Sequence, residues 1–391
     1  MTRETGSRVA TRRLPKARRH QDVATDFPPA EDLPVVEGLP DPFMLNDGTR
    51  VRSRRDWATR REQIKAMMLH YQYGRMPAST EKTTVSETSS RPVYKGTAIE
   101  KRVTLATGRG SAVRIRLGML VPNGLGPFPV ILRNDRDLGQ TAIAQEIVER
   151  GYILAEYNRH DLDFDGPDRS DGVHPVYPEF DWGTLAAWAW GGMRVVDYLL
   201  TLDVVDHARI AFTGHSRGGK TALLAGALDE RIALVAPNGS GTGGAGSYRI
   251  LGQGAERLED ILRNFHYWFH PRLADFVGRE NRLPFDQHFL RTLVAPRAVI
   301  STEALEDHWA NPLGTQQVFV AAQPVFDWLG VGQRNAIHFR QGGHAQGPED
   351  IRALLDYADW VFFRRSARSG RKFDLLPFPK GELSWAIPPG R

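Results

Sequence analysis

Five residues, Gly214-His215-Ser216-Arg217-Gly218, separate the apolar run Ile210-Ala211-Phe212 from a helix-forming stretch over residues 221–228. A G-x-S-x-G turn between a strand and a helix reads as a nucleophile elbow. A serine hydroxyl is a poor nucleophile at neutral pH. A tight turn pushes Oγ out of the backbone toward a base, and it aims the next N–H at the oxyanion that forms. Gly214 and Gly218 omit the Cβ atoms that would crowd so sharp a bend. The turn also commits its surroundings to alternating strands and helices.

That alternation runs through most of the chain. Residues 56–74 carry Trp57, Ile64, Met67, Met68 and Tyr71 at helical spacing. Residues 82–121 alternate as strands, and the turn at Pro122-Asn123-Gly124 closes them. Short apolar runs at 128–132, 151–155, 208–213, 234–236, 297–301 and 336–340 read as buried strands. Helical stretches are expected at 142–150 and 181–202, and from Pro348 to about Phe363. A glycine-rich loop at 239–244 leads into an insertion near 245–290. The order predicts an α/β-hydrolase fold, a mostly parallel sheet in a three-layer α/β/α sandwich. Residues 1–37 are expected to form a basic, proline-rich, disordered extension, with little packing before Leu39. Residues 38–391 are expected to form one domain.

Composition removes several classes. The chain has 391 residues and no cysteine, which excludes disulfides, thiolate metal sites and a cysteine nucleophile. No apolar run approaches a membrane span. The net charge is +5, but residues 1–20 alone contribute +6, leaving −1 for the rest. The basicity belongs to a tail, so a nucleic-acid surface loses its support. The tail has an Arg-Arg pair without an apolar segment after it, so no signal peptide is recognisable. No H-E-x-x-H or comparable ligand set is present.

A serine nucleophile needs a base, and the base needs an acid. In α/β-hydrolases the chain order is Ser, acid, His. Among twelve histidines, His344 lies in Gly342-Gly343-His344-Ala345-Gln346-Gly347, between the last strand and the last helix. His215 is expected to face away from the nucleophile. The loop after the 297–301 strand offers Glu303, Glu306 and Asp307. Asp307 is the first choice for the acid and Glu303 the second. Ser216, Asp307 and His344 all follow predicted strand ends, where sites in such sheets gather.

With these residues in place, the chain resembles the glucuronoyl esterase family of carbohydrate esterases over about residues 38–365. The resemblance rests on Gly214-His215-Ser216-Arg217-Gly218-Gly219-Lys220, Asp181-Trp182-Gly183, Trp188-Ala189-Trp190-Gly191, Asp307-His308-Trp309-Ala310-Asn311-Pro312 and Gly342-Gly343-His344. It implies cleavage of the ester between a 4-O-methyl-glucuronoyl branch of xylan and a lignin-type alcohol, without a cofactor. It also implies that Arg217 stabilises the oxyanion. Lys220 would bond sugar hydroxyls, Trp309 would line the sugar site, and Glu259 would contact a sugar hydroxyl. A cation at a helix start opposes the helix dipole, which points the same way for Arg217 and Lys220. One departure is visible. Members often carry Pro-x-Glu-Ser-Gly after the elbow helix, whereas this chain has Pro237-Asn238-Gly239-Ser240-Gly241. The acid is then expected from the later loop.

Two other readings compete. A carbohydrate O-acetylesterase would use the same three residues without needing a cationic pair. A non-catalytic carbohydrate-binding protein could use the nine tryptophans as sugar platforms. The expected partner is a glucuronoxylan-type ester, with neither nucleic acid nor membrane, and the expected state is a monomer. The family resemblance suggests a secreted or periplasmic protein.

Overall fold

The computed structural model describes residues 27–78, 81–135, 139–365, 370 and 372–388. Helix α1 (Arg54–Met68) starts where the Ser53 hydroxyl accepts from the Asp56 N–H, and it winds into a π-helical turn, Leu69–Tyr73. Three strands follow, β1 (Thr84–Val93), β2 (Ala98–Thr107) and β3 (Val113–Pro122). Then β4 (Phe128–Asp135), α2 (Ala144–Glu149), β5 (Ile153–Asn158), α3 (Thr184–Leu199), β6 (Val205–His215), α4 (Arg217–Leu228) and β7 (Leu234–Asn238) alternate. After an insertion containing α5 (Leu258–Phe265) come α6 (Gln287–Thr292), β8 (Ala298–Ala304), α7 (Pro312–Trp328), β9 (Asn335–Arg340) and α8 (Pro348–Phe363).

The strands form one sheet in the order β1-β2-β3-β5-β4-β6-β7-β8-β9. The six strands from β5 to β9 run parallel, and β1 to β3 extend the sheet antiparallel. The chain leaves β4 on one side to form β5 and returns to the other side to form β6. In open sheets of this kind, sites gather at the carboxyl ends where the direction reverses.

Alternate residues of each central strand feed opposite layers. Val130 and Leu132 pack with Trp188, Leu223 and Phe212, while Ile131 packs with Ile147, Ile351 and Leu355. Trp182, Trp188 and Trp190 are buried, and they tie the segment between β5 and α3 to the core. Each such ring is worth about 4–6 kcal/mol of buried apolar area.

Two features differ from the sequence reading. Residues 27–37 pack instead of trailing. Ala30 and Leu33 are buried, Tyr71 Oη donates to Pro28 O at 2.6 Å, and Val36 N donates to Asn281 O at 2.8 Å. Backbone hydrogen bonds and two apolar anchors outweigh the proline-rich composition there. Residues 1–26 of the expected extension lie outside the described residues. The other feature is α7, which periodicity does not announce. It contains Pro324 and the polar residues Thr315, Gln316 and Gln317, yet it is buried along most of its length.

Candidate active site

Ser216 sits between β6 and α4 with φ 55° and ψ −120°, a conformation that costs a residue with a side chain. Neighbours enforce it. Ser216 N donates to Asn238 O at 2.9 Å, and Ser216 O accepts from Gly219 N and Lys220 N at 2.9 and 3.1 Å. A Cβ on Gly214 would lie 2.3 Å from Gly218 O, so the turn closes only with glycine there. Asn134, at the end of β4, donates from Nδ2 to Gly218 O at 2.9 Å and braces the elbow from below. Among the described residues no hydrogen bond joins Ser216 Oγ to His344.

His344 lies in the loop between β9 and α8, and its Nδ1 is 2.6 Å from Asp307 Oδ2. Asp307 is buried and His344 is exposed on its outer side. Several bonds hold the loop. Arg340 donates to Ala345 O at 2.7 Å and to Gly343 O at 3.2 Å, and its Nε meets Asp350 Oδ2 at 2.7 Å. Gln346 Nε2 reaches back to Thr213 Oγ1 at 3.0 Å.

The second candidate acid lies elsewhere. Glu303 is inside β8, because the strand runs on to Ala304 rather than stopping at Ser301. Among the described residues neither of its carboxyl oxygens has a hydrogen-bond partner. Burial, with Asp307 and Asp350 nearby, pushes this carboxyl well above the usual range and favours its neutral form. An acid without a hydrogen bond to His344 cannot orient it. At Gly239, the glutamate position of the Pro-x-Glu-Ser-Gly pattern that the resemblance implies, an added Cβ would lie 3.4 Å from Asp307 Oδ2. An acid from that position would therefore reach the place Asp307 fills.

His215, expected to face away from the nucleophile, has its ring against His344, with centroids 4.3 Å apart and planes tilted by 46°.

The cations are held in different ways. Arg217 pairs with Asp165, and its guanidinium lies 4.7 Å from the Trp268 ring and 5.2 Å from the Phe265 ring. Trp268 Nε1 also donates to Asp165 Oδ1 at 2.7 Å. Lys220 is buried, and its Nζ donates to the carbonyls of Ser240 and Thr242. Burial brings its pKa down to about 8. Trp309 is 51% exposed, and its carbonyl accepts from Glu256 N at 3.1 Å. Glu256 is buried, and its carboxyl is raised by that burial while Lys220 opposes the shift.

Glu259 is not brought to this group. It is exposed and lines a separate cleft of about 500 Å³ with Val36, Glu37, Arg257 and Asn281. The acid that faces Lys220 is Glu256, one helical turn earlier, at the end of the loop before α5. Asp165, His215, Trp268 and Asn134 also escaped the sequence reading. Asp165 and Asn134 follow or end strands at the carboxyl edge of the sheet, and that position was the available signal. Among the described residues, no three His, Asp or Glu side chains are arranged to hold a metal ion.

The family model for fungal glucuronyl esterase matches residues 104–330. A carbohydrate esterase from an unknown prokaryotic organism is 30% identical, over 82% of this chain and 89% of its own length. A 4-O-methyl-glucuronoyl methylesterase from Phanerochaete carnosa is also 30% identical, over 81% of this chain and 79% of its own. The solved family 15 glucuronoyl esterase from Caldicellulosiruptor kristjansonii superposes with a TM-score of 0.78 at 30% identity, covering 92% of this chain and 99% of that one. A mutant glucuronoyl esterase from Sporotrichum thermophile, solved in complex with methyl 4-O-methyl-β-D-glucopyranuronate, superposes with a TM-score of 0.68 at 25% identity, covering 85% of this chain and 89% of that one.

Proposed function

Because this chain belongs to the glucuronoyl esterase family, we propose that Ser216, His344 and Asp307 hydrolyse the ester between a 4-O-methyl-glucuronoyl group of xylan and an alcohol of lignin type. The observation that supports the assignment most is the 2.6 Å contact between His344 Nδ1 and Asp307 Oδ2. It fixes the proton on Nδ1 and leaves Nε2 as the base.

Ser216 Oγ attacks the carbonyl carbon as His344 Nε2 takes its proton. The carbonyl oxygen becomes an oxyanion at the start of α4, facing the Arg217 N–H and the Arg217 guanidinium. Asp307 stabilises the imidazolium without taking its proton. The tetrahedral intermediate collapses, and the alcohol leaves with the proton from His344. Water then attacks the glucuronoyl-serine, with His344 again as base. The uronic acid carboxyl is freed while its sugar stays joined to xylan, and Ser216 regains its proton.

The sugar is read by Trp309, Glu256 and Lys220. Trp309 offers an exposed face for the ring, and Glu256 and Lys220 offer an acceptor and a donor beneath it. Two fixed cations beside the elbow suit a uronic acyl group better than an acetyl group. The test is hydrolysis of benzyl glucuronate beside acetylated xylan, with Ser216→Ala as control. Serine-dependent release of the uronic acid is expected. Acetate release alone would transfer the assignment to an O-acetylesterase.

A further inference from the structure

We infer that His215 is a positioning residue for His344, a ring that holds the base between Asp307 and Ser216 and meets its positive charge during acyl transfer. The inference rests on the assignment of His344 as the base. It begins with register. His215 ends β6 opposite Asn238, which ends β7, and His215 Nδ1 lies 2.7 Å from Asn238 Oδ1.

The amide of Asn238 can point only one way. Its Nδ2 donates to Thr302 O at 3.1 Å and to Thr302 Oγ1 at 2.8 Å, so its oxygen faces His215. His215 Nδ1 therefore carries the proton and donates it. One strand-end hydrogen bond thus fixes both the tautomer and the plane of this ring.

The fixed plane is what His344 rests on. A loop histidine exposed on its outer side has one ring nitrogen held, by Asp307. A single bond to Nδ1 leaves the ring free to swing about that bond. The His215 face, 4.3 Å away, blocks the swing on one side. The same face presents π density to the imidazolium that forms when Ser216 gives up its proton.

A charged His215 would oppose that cation, and the surroundings keep it neutral. Burial is the largest cause, with His344 and Arg133 adding to it, and the pKa falls to about 4. Asn238 and Asp307 pull the other way, but burial wins. The ring is neutral at and around neutral pH.

The test compares His215→Ala and His215→Phe with the unchanged enzyme, in two assays. One is turnover of benzyl glucuronate. The other is the rate at which a fluorophosphonate labels Ser216, which depends on the base and not on the sugar. His215→Ala is expected to lower kcat and the labelling rate by about tenfold or more, with KM within about twofold, as for a displaced base. His215→Phe, which keeps a neutral ring face but loses the bond to Asn238, is expected to recover part of both. The downfield Nδ1 proton of His344 should be visible by NMR in the unchanged enzyme and in His215→Phe, and should be lost in His215→Ala. Wild-type labelling and an intact proton signal in His215→Ala would overturn the inference. So would an equal fall in His215→Phe. An unchanged enzyme that labels normally but leaves benzyl glucuronate intact would refute the substrate, and the labelling rates would still decide the role of His215.

Discussion

The guanidinium of Arg217 is tied to the carboxylate of Asp165. Asp165 belongs to the loop after β5, and Arg217 is the first residue of α4. The pair therefore joins the nucleophile turn to a loop on the other side of the sheet's reversal point. Trp268 supports both partners, donating to Asp165 and lying under Arg217. The cation is thus aimed before any substrate arrives, which is what an oxyanion partner requires.

Removing Arg217 should therefore cost turnover more than binding. Arg217→Ala is expected to lower kcat by about 10²–10³, the usual cost of one oxyanion donor, with a smaller change in KM. Asp165→Asn should lower kcat by about tenfold through loss of aim, and should add little in the Arg217→Ala background. Steady-state kinetics of the two single variants and the double variant on benzyl glucuronate measure this. Additive losses would separate the two residues.

The two candidate acids make opposite predictions. Asp307→Asn should lower kcat by about 10³–10⁴, because an amide at that position favours the wrong tautomer of His344. Glu303→Gln should stay within about threefold of the unchanged enzyme, since a protonated carboxyl and an amide have the same shape and charge. A collapse in Glu303→Gln with Asp307→Asn active would move the acid to the strand.

Much of this site was legible because strand ends announce it. The short apolar runs located the strands, the glycines located the elbow, and Ser216, Asp307 and His344 follow strand ends. Less legible was anything set by side chains crossing between elements. Whether His215 faces His344 depends on where Asn238 ends a neighbouring strand, and one residue of register would turn it away. Glu256 and Glu259 share a segment three residues apart, and only the packing of the loop before α5 decides which one faces Lys220. Helix α7 buries polar residues such as Thr315 and Gln316 along with its apolar ones, so its helical period is weak in the sequence. The packing of residues 27–37 depends on partners near residues 70 and 280, far along the chain.

Glu256 and Glu259 separate in the same way. Glu256→Gln should raise KM for glucuronate esters and lower kcat/KM by about 10- to 100-fold, the cost of a hydrogen bond to a charged acceptor. Glu259→Ala should leave kinetics on benzyl glucuronate unchanged, because its side chain faces the other cleft. Parallel kinetics on the two variants decide it, and a loss in Glu259→Ala with Glu256→Gln intact would reverse the assignment.

Lys220 predicts two pH effects of known sign. Its ammonium is buried, with a pKa of about 8 in the folded chain against an ordinary 10.5. The proton that would make it a cationic donor to the proposed sugar is lost as pH rises through about 8. The kcat/KM profile should therefore show an alkaline limb near pH 8, and Lys220→Met should lack that limb and be less active throughout. Folding responds in the opposite direction. Between about pH 8 and 10.5 the unfolded chain holds a proton that the folded chain has released, so the contribution of Lys220 to stability grows with pH, by at most about 1.4 kcal/mol per unit. Below pH 8 both states are protonated and the burial cost is constant. Urea unfolding of the unchanged protein and of Lys220→Met at pH 7, 8, 9 and 10 tests this. The difference between them should shift in favour of the unchanged protein above pH 8 and stay flat below it. A difference that is flat across the whole range would mean that Lys220 keeps its ordinary pKa, and would remove the basis for the alkaline limb.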